Sequence, residues 1–81
     1  MSLDEFRSAR KTVGAKQTLK AMKRNEVQKL FVATDCDEAV VAPLIRYANE
    51  HGTAVDQSYT MVELGMACRI KVGAAAMGLL V

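Results

Sequence analysis

A layered α/β fold, an α/β/α sandwich with helices on both faces of a small sheet, is what the sequence predicts. Three observations predict it. Segments whose apolar residues recur at helical spacing alternate along the chain with short, strand-like apolar runs. The run Leu30-Phe31-Val32-Ala33 is apolar without alternation, as a strand covered on both sides must be. Helix-capping chemistry stands before several of the helical segments, which places their starts.

The elements follow in chain order. Ser2-Leu3-Asp4-Glu5 fits a capping box, in which the serine oxygen and the Glu5 carboxylate satisfy exposed amides. Leu3, Phe6 and Ala9 or Arg10 then continue at helical spacing, so a helix is predicted over 3–10. Lys11-Thr12-Val13 is partly β-branched and closed by Gly14, which predicts a small strand before a tight turn. Ala15, Leu19 and Met22 fall at i, i+4 and i+7, which predicts a helix over 15–25 with these residues on its buried face. Beyond the strand at 30–33, Thr34-Asp35-Cys36-Asp37 supplies caps for a helix over 38–50, buried through Val41, Leu44, Ile45 and Ala48. Pro43 is placed to kink that helix and Gly52 to end it. Residues 54–59 predict a strand, although Asp56 and Gln57 make it more polar than a central strand should be. Thr60-Met61-Val62-Glu63 is a second capping box and opens a helix running to about Cys68. By composition 72–80 fits helix or strand, and the layered alternation makes it the last strand.

Composition narrows the function. With 81 residues, 51% of them apolar, one domain is expected. A domain of this size buries only roughly 60% of its unfolded surface, which leaves little room for a deep catalytic cavity beside a core. Cys36 and Cys68 stand far apart with only His51 as a further soft ligand, so neither a zinc site nor any other metal or cofactor is expected. No charged stretch followed by an apolar one opens the chain, and the Ala-rich 73–81 is too short to span a bilayer. The expectation is a soluble, cytoplasmic protein with reduced thiols and no membrane partner.

The net charge of +2 hides an uneven distribution. Arg7, Arg10, Lys11, Lys16, Lys20, Lys23, Arg24 and Lys29 are opposed between positions 7 and 29 only by Glu26, so that stretch carries +7 and the remainder −5. A chain polarised in this way attracts polyanions even near neutrality, and nucleic acid becomes the leading partner. Lys16, Lys20 and Lys23 recur at i, i+4 and i+7, with Gln17 and Arg24 on the neighbouring row. Like charges at this spacing mildly destabilise a helix, which an anionic partner would relieve; the plainer alternative is a solvated helix face. Gly14, just before the helix, lets a ligand approach the backbone and the first-turn amides.

Gly14-Ala15-Lys16-Gln17-Thr18-Leu19-Lys20, Leu30-Phe31-Val32-Ala33-Thr34-Asp35, Leu64-Gly65-Met66-Ala67-Cys68 and Ile70-Lys71-Val72-Gly73-Ala74-Ala75, taken together and in this order, resemble the kink-turn RNA-binding ribosomal protein family L7Ae in its short bacterial form. The resemblance implies an α/β/α sandwich with a small mixed sheet, like that of L30e, and a non-catalytic, monomeric RNA-binding protein. Its RNA would be a kink-turn, an internal loop with sheared G·A pairs and a sharp bend, in ribosomal RNA or a structured messenger element. By position, Gly14, Lys16, Gln17 and Lys20 take the place of the family's guanine-reading G-x-N-E-x-x-K segment. Arg69, Ile70, Lys71 and Val72 fall in its loop against the extruded nucleotide. The chain departs from the archaeal and eukaryotic pattern with Lys16 for asparagine, Gln17 for glutamate and Lys71 for an acid. Gln17 can both donate and accept where an ionised glutamate only accepts. Kinked RNA crowds its phosphates, so Lys20 and Arg24 would favour the bent form by differential affinity. Ile70 and Val72 offer apolar surface to an unstacked base, with core packing as the other reading; contact is favoured for Ile70 and the two readings weigh equally for Val72.

Two other classes compete. The apolar strand followed by Asp35-Cys36-Asp37 suits a magnesium-dependent phosphoryl-transfer enzyme, but no further acidic pair completes a metal shell, and caps are the commoner use of such residues. A protein-interaction module would use the amphipathic helix at 3–10 and bind almost independently of salt. Tyr47 and Tyr59 are expected to pack against the core, His51 to sit at an exposed helix end, and the cysteines to be buried fillers, with Cys36 near a helix start open to a lowered pKa.

Overall fold

Residues 9–81 are described by the structure, a computed structural model; of the helix expected over 3–10, residues 3–8 lie outside them together with the Ser2-Leu3-Asp4-Glu5 capping box, and Ala9 and Arg10 are not helical. The apolar run sits in β2 (Val27–Val32), whose partners explain its composition. β4 (Ala76–Leu80) pairs antiparallel on one side of it and β3 (Ala54–Asp56) parallel on the other. β1 (Lys11–Val13) pairs antiparallel with β4, so the order is β1-β4-β2-β3 and the sheet is mixed. Between the strands run α1 (Ala15–Lys23), α2 (Glu38–His51) and α3 (Met61–Ala67).

Strand periodicity divides the core in two. Leu30, Val32 and Ala76 face α1 and α2, where they meet Met22, Val41, Leu44 and Ala48. Phe31, Ala33, Met77 and Leu79 face the other way, against Leu64 and Ala67 of α3. Both faces of the two central strands are therefore covered, which is why neither alternates. The layers are those the sequence predicts.

The caps expected at Asp37, Thr60 and Gly52 are present. Asp37 accepts the Ala39 amide at 3.0 Å. Thr60 and Glu63 close the full capping box, at 3.2 and 2.9 Å. Gly52 ends α2 in the left-handed region, with φ of 71°. Pro43 lies inside α2 on its exposed side, and its ring nitrogen leaves the Ala39 carbonyl without the usual partner.

Several boundaries differ from the sequence reading, those of β2 and β4 because of contacts between distant residues and that of β3 because of a local turn. β2 starts at Val27, before the apolar run, since Val27 already pairs with Leu80 and the Gln28 side chain donates to the Leu80 carbonyl at 2.9 Å. β3 stops at Asp56, whose carboxylate accepts the Ser58 amide at 2.8 Å and turns the chain. Its polarity fits an edge strand, and Asp56 pairs with Lys29 of β2 at 3.7 Å. β4 begins at Ala76 rather than 72, because Ala74 donates to the Met61 carbonyl at 3.1 Å and holds the preceding chain on α3.

α1 is also seated one step round from the expected face. Thr18, Ala21 and Met22 are its buried residues, while Ala15 and Leu19 flank them. The Thr18 hydroxyl, fully buried, shares a hydrogen bond of 2.9 Å with that of Thr12 on β1. Beneath them lies Gly78 of β4. A methyl group there would meet Thr12 Oγ1 at 2.7 Å, Thr18 Cγ2 at 3.0 Å and Val27 Cγ2 at 3.1 Å.

Two outcomes follow from this packing. Gly78→Ala forces short, stiff side chains apart and is expected to cost about 1–3 kcal/mol, read by urea unfolding. Burial alone would push the Asp56 carboxyl up, but hydrogen bonds from Ser58 and the charge of Lys29 outweigh it and hold the carboxyl below its ordinary value. Its contribution to stability is therefore complete above the unfolded pKa of about 3.9 and is lost as pH falls through the lower folded value. The stability difference between wild type and Asp56→Asn should accordingly narrow as unfolding is repeated from pH 6 down to pH 3.

Candidate nucleic-acid interface

The start of α1 is built around a conformation reserved for glycine. Gly14 has φ 89° and ψ 155°, a region closed to residues with a Cβ. Its amide donates to the Ala76 carbonyl at 2.9 Å and its carbonyl accepts from Thr18 at 3.1 Å, so it joins the entry of β4 to the first turn of α1. No side chain caps α1, and its first turn contains no acid. The amides of Ala15, Lys16 and Gln17 thus point outward from a positive helix end, an arrangement suited to anionic or carbonyl acceptors.

With about 100° of rotation per residue, Lys23, Lys16, Lys20, Arg24 and Gln17 fall in that order across an arc of about 120°. Thr18, Ala21 and Met22 lie on the opposite side. All five polar residues of the arc are exposed. Among the described residues Lys16, Lys20, Lys23 and Arg24 form no ion pair, and neither do Arg69 and Lys71. One continuous, uncompensated cationic face results.

The loop before β4 reaches the same end of the sheet. Val72 precedes Ala76 by four residues, and Ala76 holds Gly14, so Val72 lies within about 14 Å of chain from that junction. Arg69 adopts a left-handed φ of 59°, donating its amide to the Met66 carbonyl at 3.1 Å. Ile70 is half-buried and packs on the core beside α3, whereas Val72 is 71% exposed. Of the two apolar loop residues, then, Val72 is the one offered to solvent. The sequence favours Ile70 for that role; the nearby α3 core takes most of its side chain instead.

The residues of the rival readings are engaged elsewhere. Asp37 caps α2, while Asp35 accepts the Met61 amide at 2.8 Å and so caps α3, not α2. Tyr59 packs near Phe31, with ring centroids 6.2 Å apart. Tyr47 stacks on His51 at 4.0 Å, and His51 sits exposed in the last turn of α2. Burial pushes the Cys36 thiol up, and the nearby Asp35, Asp37 and Glu38 add to the shift, so the lowered pKa that a helix start suggests does not occur. Burial likewise raises Cys68. A cavity of about 790 Å³ lies along α2 and the end of β2, and none of the residues of the cationic face or the loop line it. Among the described residues no helix is long and apolar enough to cross a membrane.

What sequence reasoning passed over is Thr18, the buried anchor that sets the rotation of α1. A signal existed: Thr12 and Thr18 flank Gly14, and Gly78 interrupts an otherwise apolar strand.

The chain is similar to known proteins in sequence and in fold. Over 81 residues the chain is 41% identical to an RNA-binding protein of Bacillus pumilus, covering 99% of each chain. It is 40% identical to RNA-binding protein YbxF of Geobacillus stearothermophilus over the same span, again covering 99% of each. In fold it superposes on the Giardia lamblia 15.5kD RNA binding protein with a TM-score of 0.86 and 22% identity, over 98% of this chain and 68% of that one. A Bacillus halodurans protein of unknown function gives 0.85 and 19%, over 98% and 80%. Residues 5–81 match one family model, and the chain belongs to the Ribosomal protein L7Ae/L30e/S12e/Gadd45 family.

Proposed function

We propose that this protein is a non-catalytic, monomeric RNA-binding protein that recognises kink-turn RNA and stabilises its bent form. The observation that carries the reading is the uncompensated cationic arc of α1, opening at Gly14 and fixed opposite the buried Thr18. The names of the similar Bacillus and Geobacillus proteins support RNA as the partner. The RNA is ribosomal RNA, with the protein riding on the ribosome, or a structured messenger element.

In this reading Gly14, Lys16 and Gln17 meet the sheared G·A pairs. The amides of the first turn and the Gln17 carboxamide supply donors, and Gln17 also offers an acceptor to an exocyclic amine. Lys20 and Arg24 lie along the converging phosphates of the bend and offset their repulsion, so the bent state binds better than the extended one. Val72, with Ile70 behind it and Arg69 and Lys71 beside it, receives the unstacked base and its phosphate.

Calorimetry with a kink-turn RNA and with a control whose G·A pairs are replaced by Watson–Crick pairs tests the reading. Clear preference for the kink-turn is expected; equal affinities would reduce the protein to a general polyanion binder. Lys20→Ala should weaken kink-turn binding roughly tenfold, as losing a charge-assisted contact of about 1.5 kcal/mol implies. It should also lower the salt slope by about one, and Lys23→Ala, at the rim of the arc, should do less. Asp37→Ala removes the α2 cap and should cost about 1 kcal/mol of stability while RNA affinity is retained. Equal loss of RNA affinity in all three variants would contradict the assignment. RNA affinity independent of salt would contradict the phosphate contacts assigned to Lys20 and Arg24.

A further inference from the structure

The loop between α3 and β4 owes its shape to a side chain that is missing. Gly65 stands in the middle of α3, where glycine is a poor helix former, and its backbone has no left-handed φ that would call for one. What requires glycine is space. A methyl group at this position would sit on the Val72 carbonyl oxygen, with the Val72 carbonyl carbon at 3.2 Å and Gly73 Cα at 3.3 Å. Every one of these neighbours is backbone, so no rotamer change could make room.

The chain is tied down on either side of this contact. Ile70 donates its amide to the Gly65 carbonyl at 3.0 Å, and Ala74 donates to the Met61 carbonyl at 3.1 Å. Between the two ties the Val72 carbonyl lies on Gly65, while the Val72 side chain remains 71% exposed. A loop held at three points presents its side chains in one arrangement before a ligand arrives, and pre-organisation of this kind saves ordering entropy on binding.

We infer that Gly65 is a positioning residue for the RNA site. Its bare Cα lets the loop seat on α3 and so fixes Val72, Lys71 and Arg69, without touching RNA itself. The inference rests on the kink-turn reading above and adds to it the residue that shapes half of the surface.

The test uses the full chain as wild type, Gly65→Ala, Val72→Ala and the double variant, with thermal unfolding as a check of folding. Each is titrated with the kink-turn RNA and with the Watson–Crick control. Amide exchange at Ile70 and Ala74 is followed in the free wild-type protein. Gly65→Ala should lose at least tenfold in affinity for the kink-turn, with affinity for the control and its salt slope unchanged because the α1 cations are intact. Val72→Ala should weaken kink-turn binding alone but cost little more once Gly65→Ala is present, and the two amides should exchange slowly. Kink-turn affinity kept by Gly65→Ala, or an equal fall for both RNAs, overturns the inference and leaves the kink-turn reading standing. A wild type that does not distinguish the two RNAs overturns that reading, and this inference with it. If Gly65→Ala fails to fold, the wild-type exchange rates and the Val72→Ala titration decide. Slow exchange with weakened kink-turn binding supports the inference; exchange at the rate of unstructured chain, or unchanged binding, overturns it.

Discussion

The rotation of α1 about its own axis is the constraint on which the rest of the molecule depends. A helix has no freedom to choose where its side chains go once one of them is fixed. Thr18 is fixed by burial, by its hydroxyl bond to Thr12, and by the bare surface of Gly78 beneath it. With Thr18 against the sheet, Lys16, Gln17, Lys20 and Arg24 must face away from it. The charge of Lys16, Lys20 and Arg24 is left in water, unpaired among the described residues, because the packing beneath them is satisfied without it.

The same economy of backbone contacts brings two distant segments to one end of the sheet. Gly14 hands its amide to Ala76, so the start of α1 and the entry of β4 are parts of one junction. The loop that leads into Ala76 is in turn laid against α3. Cationic groups on a helix and an apolar side chain on a loop thereby come from opposite layers of the sandwich, around a sheet that is covered on both faces. At the sheet edge opposite β1, β3 carries Asp56, whose charge is met by Lys29 of β2.

How much of this is legible in the sequence depends on how local the determining contact is. Leu30-Phe31-Val32-Ala33 announces a doubly covered strand, and Asp37 and Thr60 announce helix starts, because each of these signals is decided within a few residues. The charge spacing of α1 is legible for the same reason. The boundaries of β2 and β4 are not, since they depend on Gln28 reaching Leu80 and on Ala74 tied to Met61, whereas the end of β3 is set by the local turn from Asp56 to Ser58. Nor does composition say that Ile70 goes into the core and Val72 out of it. That choice follows from how the loop meets Gly65, a contact between residues seven apart whose geometry only the folded chain defines.

The most direct measurement is amide chemical-shift mapping of the isotopically labelled chain as a kink-turn RNA is added. Large shifts are expected to cluster at Gly14, Lys16, Gln17, Lys20 and Arg24 and at Arg69, Lys71 and Val72, with α2 and β3 nearly silent. Shifts concentrated along α2 and the cavity beside it, with the α1 face unchanged, would contradict the assigned interface.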